Sequence, residues 1–157
     1  MPISKYLKIE LINPNLSPGK KEDVIKDISK SLGEALNVPY DTIFNTLMER
    51  EKLGSTGVGE GVAIPHGKIE GLKEPVLAVG VSGEGIDFDA LDGQKVHIFV
   101  TLLTPMDSAA EHLSILAKLA KILKMPDFKE RLRQASDPQK IYQLFVEGER
   151  KLQQGWI

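Results

Sequence analysis

The chain has 157 residues, 41% hydrophobic and 27% charged, enough for one domain with its own core. Its 20 basic and 22 acidic side chains leave a net charge of -2, so there is no electrostatic case for nucleic acid or an anionic membrane surface as the main partner. Without a cysteine it has no disulfide, thiolate chemistry or cysteine-based zinc site, and no apolar run approaches the roughly 20 residues that span a bilayer.

The N-terminal stretch lacks the apolar core of a signal peptide, so a soluble, cytoplasmic protein is expected. Residues 1–157 read as a single domain, with a core over about 17–147. Tyr6–Ile12 reads as an edge strand or an extended lead-in. Ser17-Pro18-Gly19 reads as a helix start with Ser17 as N-cap, and Val24, Ile25, Ile28, Leu32 and Leu36 recur at helical spacing over 18–36. Gly33 interrupts that helix or ends it early. A second helix is predicted from Tyr40 to Lys52, with Gly54 as its terminator and Arg50 in the last turn, where a cation complements the helix dipole.

Residues 54–61 read as a glycine-rich loop, and Gly61–Ile64 as a short strand ended by Pro65. Val76–Val81 has the length and composition of a buried strand. Ser82-Gly83-Glu84-Gly85 reads as a turn before a short strand at Ile86–Phe88, and Asp92-Gly93 as another turn. Lys95–Leu103 carries the strongest strand signal, with His97 on the face of Phe99 and Thr101. Ser108 and Glu111 form a capping-box pattern before a helix at 109–124. A short helix near 127–135 follows, then one at 138–148 with Asp137 as N-cap and Pro138 first; the tail from Glu149 reads as peripheral. Strands flanked by helices at both ends predict an α/β (α+β) fold, a mixed β-sheet sandwiched between helical layers.

Residues 54–68, GSTGVGEGVAIPHGK, place four glycines and two hydroxyls ahead of His66. Glycine-rich backbone lets N–H groups crowd around a small anion. A neutral imidazole is a good nucleophile near neutral pH and can take up a phosphoryl group; the plain alternative is a turn histidine between Pro65 and Gly67. Arg50 can neutralise a phosphoryl dianion, or simply complement its helix end. Ser55, Thr56 and Gly57 can line the same pocket, or serve only the local loop. His112 lies at about the fourth residue of its helix, where it can meet an anion or stand as a boundary residue. His97 reads as a structural strand residue. The three histidines lack metal-ligand spacing, and the glycines match neither a Walker motif nor a dinucleotide fingerprint, so no metal or cofactor is expected.

Together, Arg50–Leu72 (REKLGSTGVGEGVAIPHGKIEGL), Gly85–Pro105 (GIDFDALDGQKVHIFVTLLTP) and the following EHLSILAKLAKIL resemble, over about residues 17–147, enzyme IIA domains of the fructose/mannitol class of the phosphoenolpyruvate-dependent phosphotransferase system. The resemblance is to the stand-alone nitrogen-regulatory branch of that class. It implies that His66 is phosphorylated at Nε2 (tele-phosphohistidine) by an HPr-type phosphocarrier. It also implies that His112 is the second active-site histidine, that Arg50 lies close by, and that Ser55, Thr56 and Gly57 fall in the bordering loop. The implied function is a phosphorelay protein that regulates partner proteins by its phosphorylation state; the alternative is a sugar-uptake IIA that passes phosphate to a IIB domain.

Overall fold

A computed structural model describes residues 2–155. A 3-10 turn at Ile3–Tyr6 leads into β1 (Leu7–Asn13), followed by α1 (Lys21–Leu36) and α2 (Tyr40–Lys52). Three short strands come next: β2 (Gly57–Gly59), β3 (Val62–Ala63) and β4 (His66–Lys68). The long pair β5 (Val76–Ile86) and β6 (Val96–Thr104) precedes α3 (Ala109–Leu123), α4 (Phe128–Gln134) and α5 (Pro138–Gln153).

The strands form one mixed sheet in the order β1-β5-β6-β3-β2, with β4 also paired to β6. β5 and β6 are antiparallel, whereas β1 is parallel to β5, and β3 and β4 are parallel to β6. Alternation along β6 divides its side chains between two cores. Ile98, Val100 and Leu102 pack with Ile115, Leu119 and Ile122 of α3 and with α4 and α5. Phe99 and Leu103 face Val24, Ile25 and Leu32 of α1 and Ile43 and Leu47 of α2. The sheet between two helical layers is therefore the predicted architecture, and Tyr6–Ile12 contains an edge strand as expected.

Several local expectations are corrected. The first helix starts at Lys21 rather than beside Ser17, and its first turn is closed by Asp23, whose carboxylate accepts from the Lys20 N–H at 3.0 Å. Gly33 stays inside that helix; a Cβ there would stand 2.8 Å from the Val38 carbonyl oxygen, and left-handed Asn37 supplies the stop. The expected turn at 82–85 is a bulge within β5 instead. Gly85 takes φ 87° and donates its N–H to Ser82 Oγ, so the strand continues through it. Ser108 does not cap α3 with its side chain, and Glu111 instead accepts from the Tyr6 hydroxyl at 3.3 Å. Asp137 caps α5 as predicted, accepting from the Gln139 N–H. That helix runs on to Gln153, and Glu149 is buried rather than peripheral, accepting from the Ile3 and Ser4 N–H groups. Of the predicted peripheral tail, residues 156–157 lie outside the described ones.

Candidate functional site

His66 begins β4, which pairs in parallel with the end of β6 in the register His66↔Leu102 and Lys68↔Thr104. The sequence offers no alternation here, so the strand was not predicted; β6 supplies the template. Gly67 is required for packing rather than for backbone freedom. A Cβ at that position would lie 2.6 Å from Thr46 Cγ2, so glycine lets α2 rest on β4 with Thr46 in its present rotamer. This approach brings Arg50, in the last turn of α2, against His66. From the other side, the chain leaves β6 at Thr104 and turns into α3, which places His112 in its first turn.

Three predicted residues meet here. The His66 and His112 rings are 5.3 Å apart between centroids, inclined at 65°. His66 Nδ1–H donates to the Ile64 carbonyl at 2.8 Å, since a carbonyl can only accept. Arg50 Nε–H donates to His66 Nε2 at 3.2 Å, and Arg50 Nη1 is held by the Gly54 carbonyl at 2.8 Å. These two bonds on opposite sides of the ring define one tautomer: the proton is on Nδ1 and the lone pair on Nε2. Burial pulls the His66 pKa below its ordinary value, and the Arg50 charge adds to the effect against the opposing pull of the Ile64 carbonyl. The His112 pKa is also lowered, first by burial and then by His66 and Lys68. Two imidazoles are thus held neutral beside a guanidinium with donors to spare, an arrangement suited to receiving a compact anion on Nε2.

The polar groups of the predicted loop residues Ser55, Thr56 and Gly57 bond internally. The Ser55 hydroxyl donates to the Phe88 carbonyl at 3.1 Å and accepts from the Gly57 N–H at 3.0 Å. Thr56 is buried, and both its N–H and its hydroxyl donate to the Glu51 carboxylate. Lys21 of α1 closes this cluster with a 3.0 Å ion pair to Glu51. His97 bonds the Ser82 carbonyl through Nδ1 at the opposite end of β6, about 23 Å along the strand from Thr104.

Sequence reasoning missed three contributors. Glu51 follows Arg50 in a run of charges that reads as a solvated helix end, yet it is buried and anchors the loop. Thr104 closes the strongest strand; its buried hydroxyl shares a 2.6 Å hydrogen bond with His112 Nδ1. Lys68 lies in the quoted motif, and its charge bears on His112. Three large apolar side chains close in sequence to Arg50, Thr104 and His112 are exposed: Leu53, Met106 and Leu113, at 84%, 58% and 67%. Among the described residues no helix is long and apolar enough to cross a membrane, and no cluster of three or more His, Asp or Glu side chains can hold a metal ion.

Comparison with known proteins bears on this arrangement. The family model described as "Phosphoenolpyruvate-dependent sugar phosphotransferase system, EIIA 2" matches residues 5–148. A "Nitrogen regulatory protein" of Pseudomonas aeruginosa is 40% identical over 134 residues, 85% of this chain and 87% of that protein. A "PTS system fructose-specific EIIA component" of Haloferax volcanii is 34% identical over 146 residues, 92% of this chain and 95% of that protein. The crystal structure of nitrogen regulatory protein IIA-Ntr from Neisseria meningitidis superposes with a TM-score of 0.86 at 33% identity, covering 91% of this chain and 98% of that one.

Proposed function

The chain belongs to the EIIA type 2 family of the phosphoenolpyruvate-dependent phosphotransferase system, and from that premise we propose that it relays a phosphoryl group through Nε2 of His66. The observation that carries the reading is the fixed tautomer. With Nδ1–H held by the Ile64 carbonyl, Nε2 is the one nucleophilic ring atom, and it lies beside Arg50 and His112.

The donor is a phosphohistidine on an HPr-type phosphocarrier. The Nε2 lone pair attacks phosphorus in line while the donor's P–N bond breaks and its electron pair returns to the donor's ring nitrogen. No proton moves. The positive charge of the donor's phosphorylated ring passes to the His66 ring, where the Ile64 carbonyl faces the retained Nδ1–H. Arg50 releases the lone pair as the phosphoryl group arrives and turns its donors to the equatorial oxygens, with His112 on the opposite side. Exchange between two imidazoles is nearly balanced, so positioning and charge stabilisation matter more than a strong acid or base. The exposed Leu53, Met106 and Leu113 give the carrier an apolar rim to dock against.

The likeness to nitrogen regulatory proteins supports an output in which the phosphorylated and free forms select different partner proteins in the cytoplasm. The fructose-specific relative supports a second reading, in which the phosphoryl group passes on to a IIB domain during sugar uptake. The test is incubation with phosphoenolpyruvate, enzyme I and the phosphocarrier. Acid-labile, base-stable phosphate is expected on the wild type and none on His66→Ala; labelling that survives in the variant removes His66 as acceptor. Rapid loss of the label to added fructose- or mannitol-type IIB favours the uptake reading, and retention favours the regulatory one.

A further inference from the structure

Thr104 meets the site through His112 alone. Its side chain is fully buried at the end of β6, and among the described residues its hydroxyl has one hydrogen-bond partner, His112 Nδ1 at 2.6 Å. A hydroxyl and an imidazole nitrogen can share that bond in two ways. If Nδ1–H donated, the hydroxyl proton would be buried with no acceptor, an omission that costs about 1–3 kcal/mol. If the hydroxyl donates, Nδ1 is the lone-pair nitrogen and every buried proton has a partner.

We propose that Thr104 is a positioning residue that fixes the tautomer of His112, so that the ring nitrogen left to meet the phosphoryl group, Nε2, carries a proton. The assignment rests on the reading of His66 as the phosphoryl acceptor. It makes the two rings opposites. His66 has its proton on Nδ1, facing the Ile64 carbonyl, and a lone pair on Nε2. His112 has its lone pair on Nδ1, facing Thr104, and its proton on Nε2. One ring is thereby the nucleophile and the other a hydrogen-bond donor to the phosphoryl oxygens. The reversed tautomer of His112 would turn a lone pair toward a dianion, and the donor would become a repulsive neighbour. The same bond opposes protonation of His112, because an imidazolium Nδ1–H would displace the hydroxyl proton into the core. Burial, the neighbouring His66 ring and the Lys68 charge act in the same direction.

The experiment pairs nitrogen NMR of the imidazole rings in the unphosphorylated protein with transfer kinetics for Thr104→Val and Thr104→Ser. Valine keeps the shape and removes the donor; serine keeps the donor. In the wild type the His112 Nε2 signal is expected to be that of a protonated ring nitrogen and Nδ1 that of an unprotonated one. Thr104→Val is expected to move His112 toward the other tautomer and to slow transfer to His66 by about tenfold to a hundredfold, with little change in the KM for the phosphocarrier. Thr104→Ser is expected to restore both. A wild-type His112 protonated on Nδ1, or a Thr104→Val protein that transfers at the wild-type rate, overturns the proposal. The NMR measurement needs neither phosphorylation nor a folded variant. A wild type that shows the expected tautomer but never takes up phosphate therefore overturns the relay reading alone.

Discussion

At His66 burial and hydrogen bonding act in opposite directions, and burial prevails. The ring loses water, which penalises imidazolium; Arg50 adds to that penalty, and the Ile64 carbonyl only partly offsets it. His112 is shifted the same way. Both folded-state pKa values lie below the unfolded value of about 6.5, so the unfolded chain binds more protons in the window between. The stability tied to these rings is complete above about pH 6.5 and is lost as the pH falls through that window. Thermal unfolding should therefore drop as pH is lowered from about 7 to about 5, and His66→Gln/His112→Gln should flatten that drop; an unchanged slope would remove the histidines from it. Arg50→Ala should raise the His66 pKa in an NMR titration and slow phosphoryl transfer by about tenfold to a thousandfold. At this scale His66 was legible because the glycine-rich motif isolates it. Glu51 and Thr104 were not, because nothing local distinguishes a buried carboxylate or hydroxyl from a solvated one.

The site depends on how closely elements approach, and Gly67 sets the closest approach. Adding one methyl group there meets Thr46 Cγ2 at 2.6 Å, so the Thr46 side chain must turn or α2 must move off β4. Gly67→Ala should cost about 1–3 kcal/mol in denaturant unfolding and should also separate Arg50 from His66, so transfer slows even where the protein remains folded. Helices α2 and α3 were legible from their apolar spacing, and β6 from its branched and aromatic run. The elements that were misread are those whose ends depend on tertiary contacts. Ser17-Pro18 has cap chemistry, but the helix begins where Asp23 can reach back to the Lys20 N–H. Residues 82–85 have turn composition, but pairing of Ile86 with Val96 turns them into a bulge. The three-residue β4 has no periodicity to read and exists because β6 offers it an edge.

In the molecule as a whole, the last helix closes onto the first turn. Buried Glu149 accepts from the Ile3 and Ser4 N–H groups and pairs with Lys118 of α3, so α5, α3 and the N-terminal segment share one carboxylate. Glu149→Ala leaves buried N–H groups unpaired and should cost about 1–3 kcal/mol in unfolding free energy while phosphoryl transfer by the folded fraction stays close to wild type. The layered sheet was legible from the order of helices and strands. This closure was not, because the charged stretch from Glu149 reads as a peripheral tail. On the proposed relay, the fold presents one atom, Nε2 of His66, to a phosphoryl donor. This is tested most directly by phosphorus and nitrogen NMR of protein phosphorylated through the phosphocarrier. The expected result is a single phosphohistidine at His66 with phosphorus bonded to Nε2 and the proton retained on Nδ1. Phosphorus on Nδ1 of His66, or on any other side chain, would contradict it.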